Sequence, residues 1–229
     1  DFGDYISDTF GFFRQTGKHF MKIYFTINGI PLMIMLVLSY FLFKVYFDIL
    51  KTGMSGQDSS GFENSMSDSF PFIVVLAIFF FLFLIFMSML NYTVPVIYLD
   101  LYDKKKGNNF SVGDVVSALK SNFGKMLIFF IASLFVITPI LIIVFILLFL
   151  LVFIIIGIPL LLFAIPTVFS WIALSYYEYI NFDKGYFEAL SDGFSKMKSQ
   201  YFPIVGSLML IYIIIQVTMT VFTMIPYAI

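Results

Sequence analysis

The sequence has no cysteine, one histidine and one tryptophan among its 229 residues. Without cysteine there are no disulfides, no thiolate metal sites and no thiol nucleophile. His19 has no second histidine to complete a metal set, and its place where the first surface segment meets the membrane reads as interfacial. No His-Glu-x-x-His, no Gly-x-Ser-x-Gly and no phosphate-cradling glycine loop occurs, so catalysis has no visible seat. The chain reads as a non-enzyme with no cofactor and no metal.

Charge is equally scarce. Only 12% of residues are charged, against about 25% in soluble domains, while 61% are hydrophobic and the mean hydropathy is +1.00. A water-soluble fold of this size has no interior large enough for so much apolar surface. Several runs reach the roughly 20 apolar residues that cross a hydrocarbon core about 30 Å thick. The sequence therefore predicts an all-α polytopic membrane protein, a single domain over 1–229 with five spans. Asp1 follows no initiator methionine or signal sequence, and the opening reads as trimmed.

Between Asp4 and about Lys18, the apolar Ile6, Phe10 and Phe13 fall at helical spacing and predict an amphipathic helix at the membrane surface. The first span runs from about Phe20 to Phe47, with a kink expected at Gly29 and Pro31. Thr52 to Ser69, rich in Gly, Ser, Asn and Asp and free of basic residues, reads as a solvated loop. A second span occupies about Pro71 to Leu99. Beyond Lys104, Lys105, Lys106 and Gly107, Ser111 and Asp114 have capping-box spacing at the start of a second surface helix. Met126 to about Asn181 needs two crossings, reversing near Ile154 to Pro159 in an apolar turn suited to the interfacial layer or to another protein. A third surface helix ends near Tyr201 and Pro203, and a fifth span follows from Ile204 to about Pro226.

On this arrangement Arg14, Lys18, Lys22, Lys104, Lys105, Lys106, Lys120, Lys125, Lys184, Lys196 and Lys198 fall on one side, and Lys44 and Lys51 on the other. Positive-inside bias then puts the N-terminus and the surface helices in the cytoplasm.

Parts of the chain repeat. Tyr98, Asp100, Asp103, Lys106 and Gly107 align with Tyr176, Glu178, Asn181, Lys184 and Gly185; Ser117 to Met126 aligns with Glu188 to Met197, and Tyr5 to Phe10 with Ala189 to Phe194. An apolar seam is shared: Phe187, Leu190, Phe194, Met197 and Tyr201 in one copy, Val116, Leu119, Phe123 and Met126 in another. The implied unit is an in-plane amphipathic helix plus a transmembrane hairpin, with repeat 1 at about 1–103, repeat 2 at about 104–181 and repeat 3 at about 182–229. The third unit lacks its returning span, so a sixth span is expected beyond Ile229.

Ala189-Leu190-Ser191-Asp192-Gly193-Phe194, followed by Lys196, Lys198 and the aromatic pair Tyr201-Phe202 leading into a span, resembles the membrane domain of bacterial glycerophosphoryl diester phosphodiesterases. It is similar also to the related YciC-like multi-pass membrane families of unknown function. The likeness covers most of the chain as architecture. It implies a helical domain in the bacterial cytoplasmic (inner) membrane with no established activity; the phosphodiesterase's catalytic barrel has no counterpart here.

The polar positions worth weighing are few. Asp100 and Glu178 end inward-running spans among tyrosines, and read either as a carboxylate pair for a cation or proton, or as partners of basic residues on neighbouring surface helices that fix geometry. Their interfacial depth favours the second reading. Asn28, Asn91 and Gln216 are the deepest amides, and interhelical hydrogen bonding accounts for them without a transport path. Lys104, Lys105, Lys106, Lys196 and Lys198 suit lipid headgroups, and Asp192 and Lys196 have i,i+4 spacing for an ion pair. The expected function is that of a non-catalytic subunit or scaffold of a membrane complex, partnered by lipids and other membrane subunits and not by nucleic acid. The alternative is a transporter or lipid-handling protein.

Overall fold

The structure, a computed structural model, describes residues 2–54, 59–153 and 157–224, with side chains except over 52–66, 68 and 69. Among the described residues six helices follow in order: α1 (Phe2–Met54), α2 (Ser59–Lys104), α3 (Val112–Val152), α4 (Gly157–Asn181), α5 (Tyr186–Ser199) and α6 (Tyr201–Met224). All except α5 are long and apolar enough to cross a membrane, so the five expected spans are present as helices.

Two of the three surface helices are not separate elements. α1 runs unbroken for 53 residues and α3 for 41, each carrying its amphipathic N-terminal part straight into a span. Passing from water to lipid changes which side chains face outward but not the backbone hydrogen bonds, and neither junction holds a proline to interrupt them. Pro31 lies inside α1 without ending it. The third surface helix does stand alone: Gln200, at φ −132° and ψ 43°, ends α5, and Pro203 falls in the first turn of α6, where its missing N–H has no helical partner to lose.

A second correction concerns Thr52 to Ser69. The stretch from Ser59 onward is helical and forms the start of α2, because polar composition marks contact with solvent and not a non-helical backbone. Asp58, the reversal at Ile154 to Ile156 and the end of the last span at Pro226 lie outside the described residues. α3 ends and α4 begins on either side of the predicted reversal.

The capping box at Ser111 is formed: its N–H donates to Asp114 Oδ2 at 2.7 Å, and its Oγ accepts from the Asp114 N–H at 3.4 Å. The aligned Lys-Gly pairs, however, take different backbones. Lys106 (φ 50°) and Gly107 (φ 129°) turn the chain through the left-handed region, whereas in the other copy Asp183 does so (φ 58°) and Gly185 sits at φ −63°. The in-plane unit is thus not reproduced copy for copy.

The buried core joins α1 to α5 and sits toward one end of the bundle. Ile23, Val94, Tyr98, Val115, Met126 and Tyr176 are among its members. Beyond it the same helices expose large apolar side chains, such as Leu36 and Phe43 on α1, Phe79 and Phe81 on α2, and Ile143 and Phe149 on α3. Lipid is as apolar as these side chains, so nothing forces them inward. α1 packs on α2, α2 and α3 on α4, and α4 on α5, while α6 lies against α1 and α4.

Candidate functional site

The most heavily built polar constellation lies where α4 hands over to α5. Trp171, Ser175 and Glu178 recur at helical spacing and so share one face of α4. The Trp171 indole N–H donates to the Leu190 carbonyl of α5 at 2.9 Å, and its ring meets Phe194 edge-on. Opposite Ser175 lies Gly193, where the two helices come so close that a Cβ on Gly193 would fall 2.5 Å from the Ser175 nitrogen and 2.7 Å from its Cα. Only glycine permits that approach.

Glu178, only 1% exposed, accepts hydrogen bonds from the ammonium groups of Lys184 and Lys196, one on each carboxylate oxygen. Lys184 also reaches Asp192 at 2.6 Å. Both ammonium groups lie over the Phe182 ring, at 5.5 and 5.6 Å from its centroid. Two carboxylates and two ammonium groups cancel in charge, and the buried member has both oxygens satisfied. Hydrogen bonds to Asp192 and Glu178 raise the Lys184 pKa above its ordinary value. At the neighbouring turn Lys125 pairs with Asp183 and, by hydrogen bond and charge, holds that carboxyl below the usual range.

A second cluster ties α1 to α2 and to the turn after it. A carbonyl can only accept, so His19 carries a proton on Nε2, donated to the Phe110 oxygen at 3.1 Å. In the neutral ring Nδ1 then accepts from the Tyr98 hydroxyl at 2.8 Å. His19 is thus a cross-brace between elements.

The structure separates the paired candidates. Glu178 takes its partners from the α4–α5 turn and α5, but Asp100 pairs with Lys104 of its own helix at 2.8 Å, not with a neighbouring surface helix. Asp192 and Lys196 do not pair with each other; each goes to the Glu178 cluster instead, where burial of the carboxylate makes the ammonium contact more valuable than an exposed i,i+4 pair. Asn91 accepts from the Tyr24 hydroxyl of α1 at 2.6 Å, an interhelical bond as expected. Asn28 is buried, donates to the Tyr24 carbonyl at 3.1 Å on its own helix, and leaves its Oδ1 without a partner. Gln216 is exposed on α6 and its side chain bonds to no other helix among the described residues, because that part of α6 faces no neighbour. Of the five headgroup lysines, Lys104 and Lys196 are engaged as above and Lys105 lies 3.5 Å from Asp114, while Lys106 and Lys198 are exposed.

Trp171, Ser175 and Gly193 went unmarked by periodicity, although Ala189 and Gly193 carry the small-xxx-small spacing that lets membrane helices approach. The apolar seam also divides. Leu190 and Met197 are buried with Ala189 and Gly193, whereas Phe187 (71% exposed) and Phe194 (48% exposed) face outward. Tyrosine hydroxyls staple the helices: Tyr176 to Thr93, Tyr186 to Ser133 at 3.1 Å and Tyr201 to Thr167 at 2.9 Å.

A cavity of about 260 Å³ lies between α2, α3 and α4, beside the core. No protein-family model, no curated protein and no solved structure matches this chain.

Proposed function

We propose that the chain is a non-catalytic subunit or scaffold of a membrane complex, set in the bacterial cytoplasmic membrane with its N-terminus and α5 on the cytoplasmic side. The observation that carries this reading is the state of its best-built polar site. The Glu178 cluster is neutralised by its own lysines and uses its charge to lock α5 onto α4, with both carboxylate oxygens of Glu178 already engaged. The outward face of α5, with Phe187, Phe194 and Lys198 exposed, is then available to headgroups or to a partner subunit. The one-sided placement of basic residues supports the orientation, and the resemblance to the phosphodiesterase membrane domains belongs to the same proposal.

Purification in a mild detergent tests the function. A stoichiometric partner whose retention falls on replacing Phe187 with Ser is the expected result; a chain that stays alone at native abundance would overturn it.

A further inference from the structure

Three cations stand in register on α1. Arg14, Lys18 and Lys22 follow one another at intervals of four residues, so they form a ladder about 12 Å long on one side of the helix. All three are exposed, and among the described residues none of their side chains makes an ion pair or a hydrogen bond. The helix supplies no counter-charge of its own, since no acidic residue stands between Asp8 and Asp48. Like charges one turn apart repel, so the ladder is a cost to α1 until an anion from outside the chain offsets it.

The ladder is held in place from behind. Thr16 and Ile23 are buried on the opposite side of the helix, where Phe12 and Phe20 meet Tyr98 edge-on and His19 bonds to Tyr98 and to the Phe110 carbonyl. Turning the cations inward would break that face. Beyond Lys22 the ladder's own side becomes hydrocarbon surface: Phe25, Met33 and Leu36 continue along it, all exposed, with no break in the helix. Fixed cations that give way within one turn to an exposed apolar face match a molecule with anionic and hydrocarbon parts in the same order. A nucleic acid or a soluble acidic segment offers only the first part.

We propose that the ladder of Arg14, Lys18 and Lys22 binds the phosphate of an anionic glycerophospholipid, whose acyl chains lie along Phe25, Met33 and Leu36. Binding replaces repulsion among the three cations with attraction to the lipid and fixes the depth of α1. The assignment needs only that α1 crosses a bilayer, and so goes beyond the scaffold reading.

Because the chain has no thiol, Thr26→Cys, one turn past Lys22, takes a single bimane label. The whole chain is reconstituted in phosphatidylcholine vesicles. Quenching is then measured with phosphatidylglycerol or phosphatidylcholine carrying a nitroxide near the ester end of one acyl chain. The expected result at residue 26 is a preference of about threefold to tenfold for phosphatidylglycerol, falling to about one when Arg14→Gln, Lys18→Gln and Lys22→Gln are combined. Lys120→Gln, which removes one exposed cation from α3, leaves the preference unchanged. A label at Ile213→Cys on α6, a helix without charged residues, shows none. Equal quenching by the two lipids at residue 26 would overturn the proposal and leave the ladder to an acidic segment of another protein. A preference that survives the triple substitution, or one equally strong at residue 213, would overturn it as well. Should the triple variant fail to assemble, the single changes decide, each lowering the preference about twofold to fivefold. Partner retention in detergent is measured separately, so loss of one result leaves the other standing.

Discussion

Gly193 is the residue on which the α4–α5 contact turns. Adding a single methyl there places it against Ser175 backbone atoms, which cannot swing aside as a side chain can. Gly193→Ala is therefore expected to push the helices apart at a cost of about 1–3 kcal/mol, in the range of other overpacked interiors. Trp171 is the only tryptophan in the chain and bonds across this contact, so a shift in its emission together with a lower thermal midpoint in detergent would report the separation. The Glu178 cluster behaves differently, because it is redundant. Lys196→Met leaves Glu178 paired with Lys184 and should cost about 1 kcal/mol or less. Lys184→Met combined with Lys196→Met strands a buried carboxylate, and the loss should rise to about 3–5 kcal/mol, well above the sum of the single changes. Additive losses in thermal unfolding would show that the two lysines act independently.

The turns between helices reveal where repetition in sequence stops short of repetition in shape. Gly107 and Gly185 align, yet only Gly107 occupies a backbone region closed to other residues. Gly107→Ser should destabilise the chain by at least about 1 kcal/mol, since a side chain at positive φ is strained. Gly185→Ser should be neutral or stabilising, because residue 185 caps α5 and a hydroxyl could complete the box that its N–H already begins with Glu188 at 3.4 Å. Equal effects at the two positions would contradict the backbone difference. The Ser111 cap was legible in sequence because capping is local chemistry between neighbours. The continuity of α1 and α3 was not, since periodicity reports which face is wet and is silent on whether the backbone bends. The partners of Asp192 and Lys196 were hidden for a related reason: spacing along one helix offered a pair, and a carboxylate on another helix outbid it.

Across the whole molecule the absence of cysteine makes orientation directly measurable, because one introduced thiol is the only thiol. Lys51→Cys and Lys198→Cys lie on exposed positions of α1 and α5. If the basic face is cytoplasmic, a membrane-impermeant maleimide labels the first in intact cells and the second only after permeabilisation. The reverse pattern would invert the topology. Composition alone was enough for the number of spans, since length and hydropathy are set by the bilayer and not by neighbours. Which helices touch was not readable, because lipid-facing and helix-facing surfaces are equally apolar.

The position of the core toward one end of the bundle has a mechanical consequence. In a bilayer, the leaflet at that end meets a cross-section fixed by tyrosine staples, the Gly193 contact and the ion cluster. The opposite leaflet meets helices with largely exposed apolar surfaces, in which α3 and α4 come into backbone contact at Gly157. A change in lateral pressure in that second leaflet is therefore expected to act on the exposed apolar faces of these helices more than on the packed end.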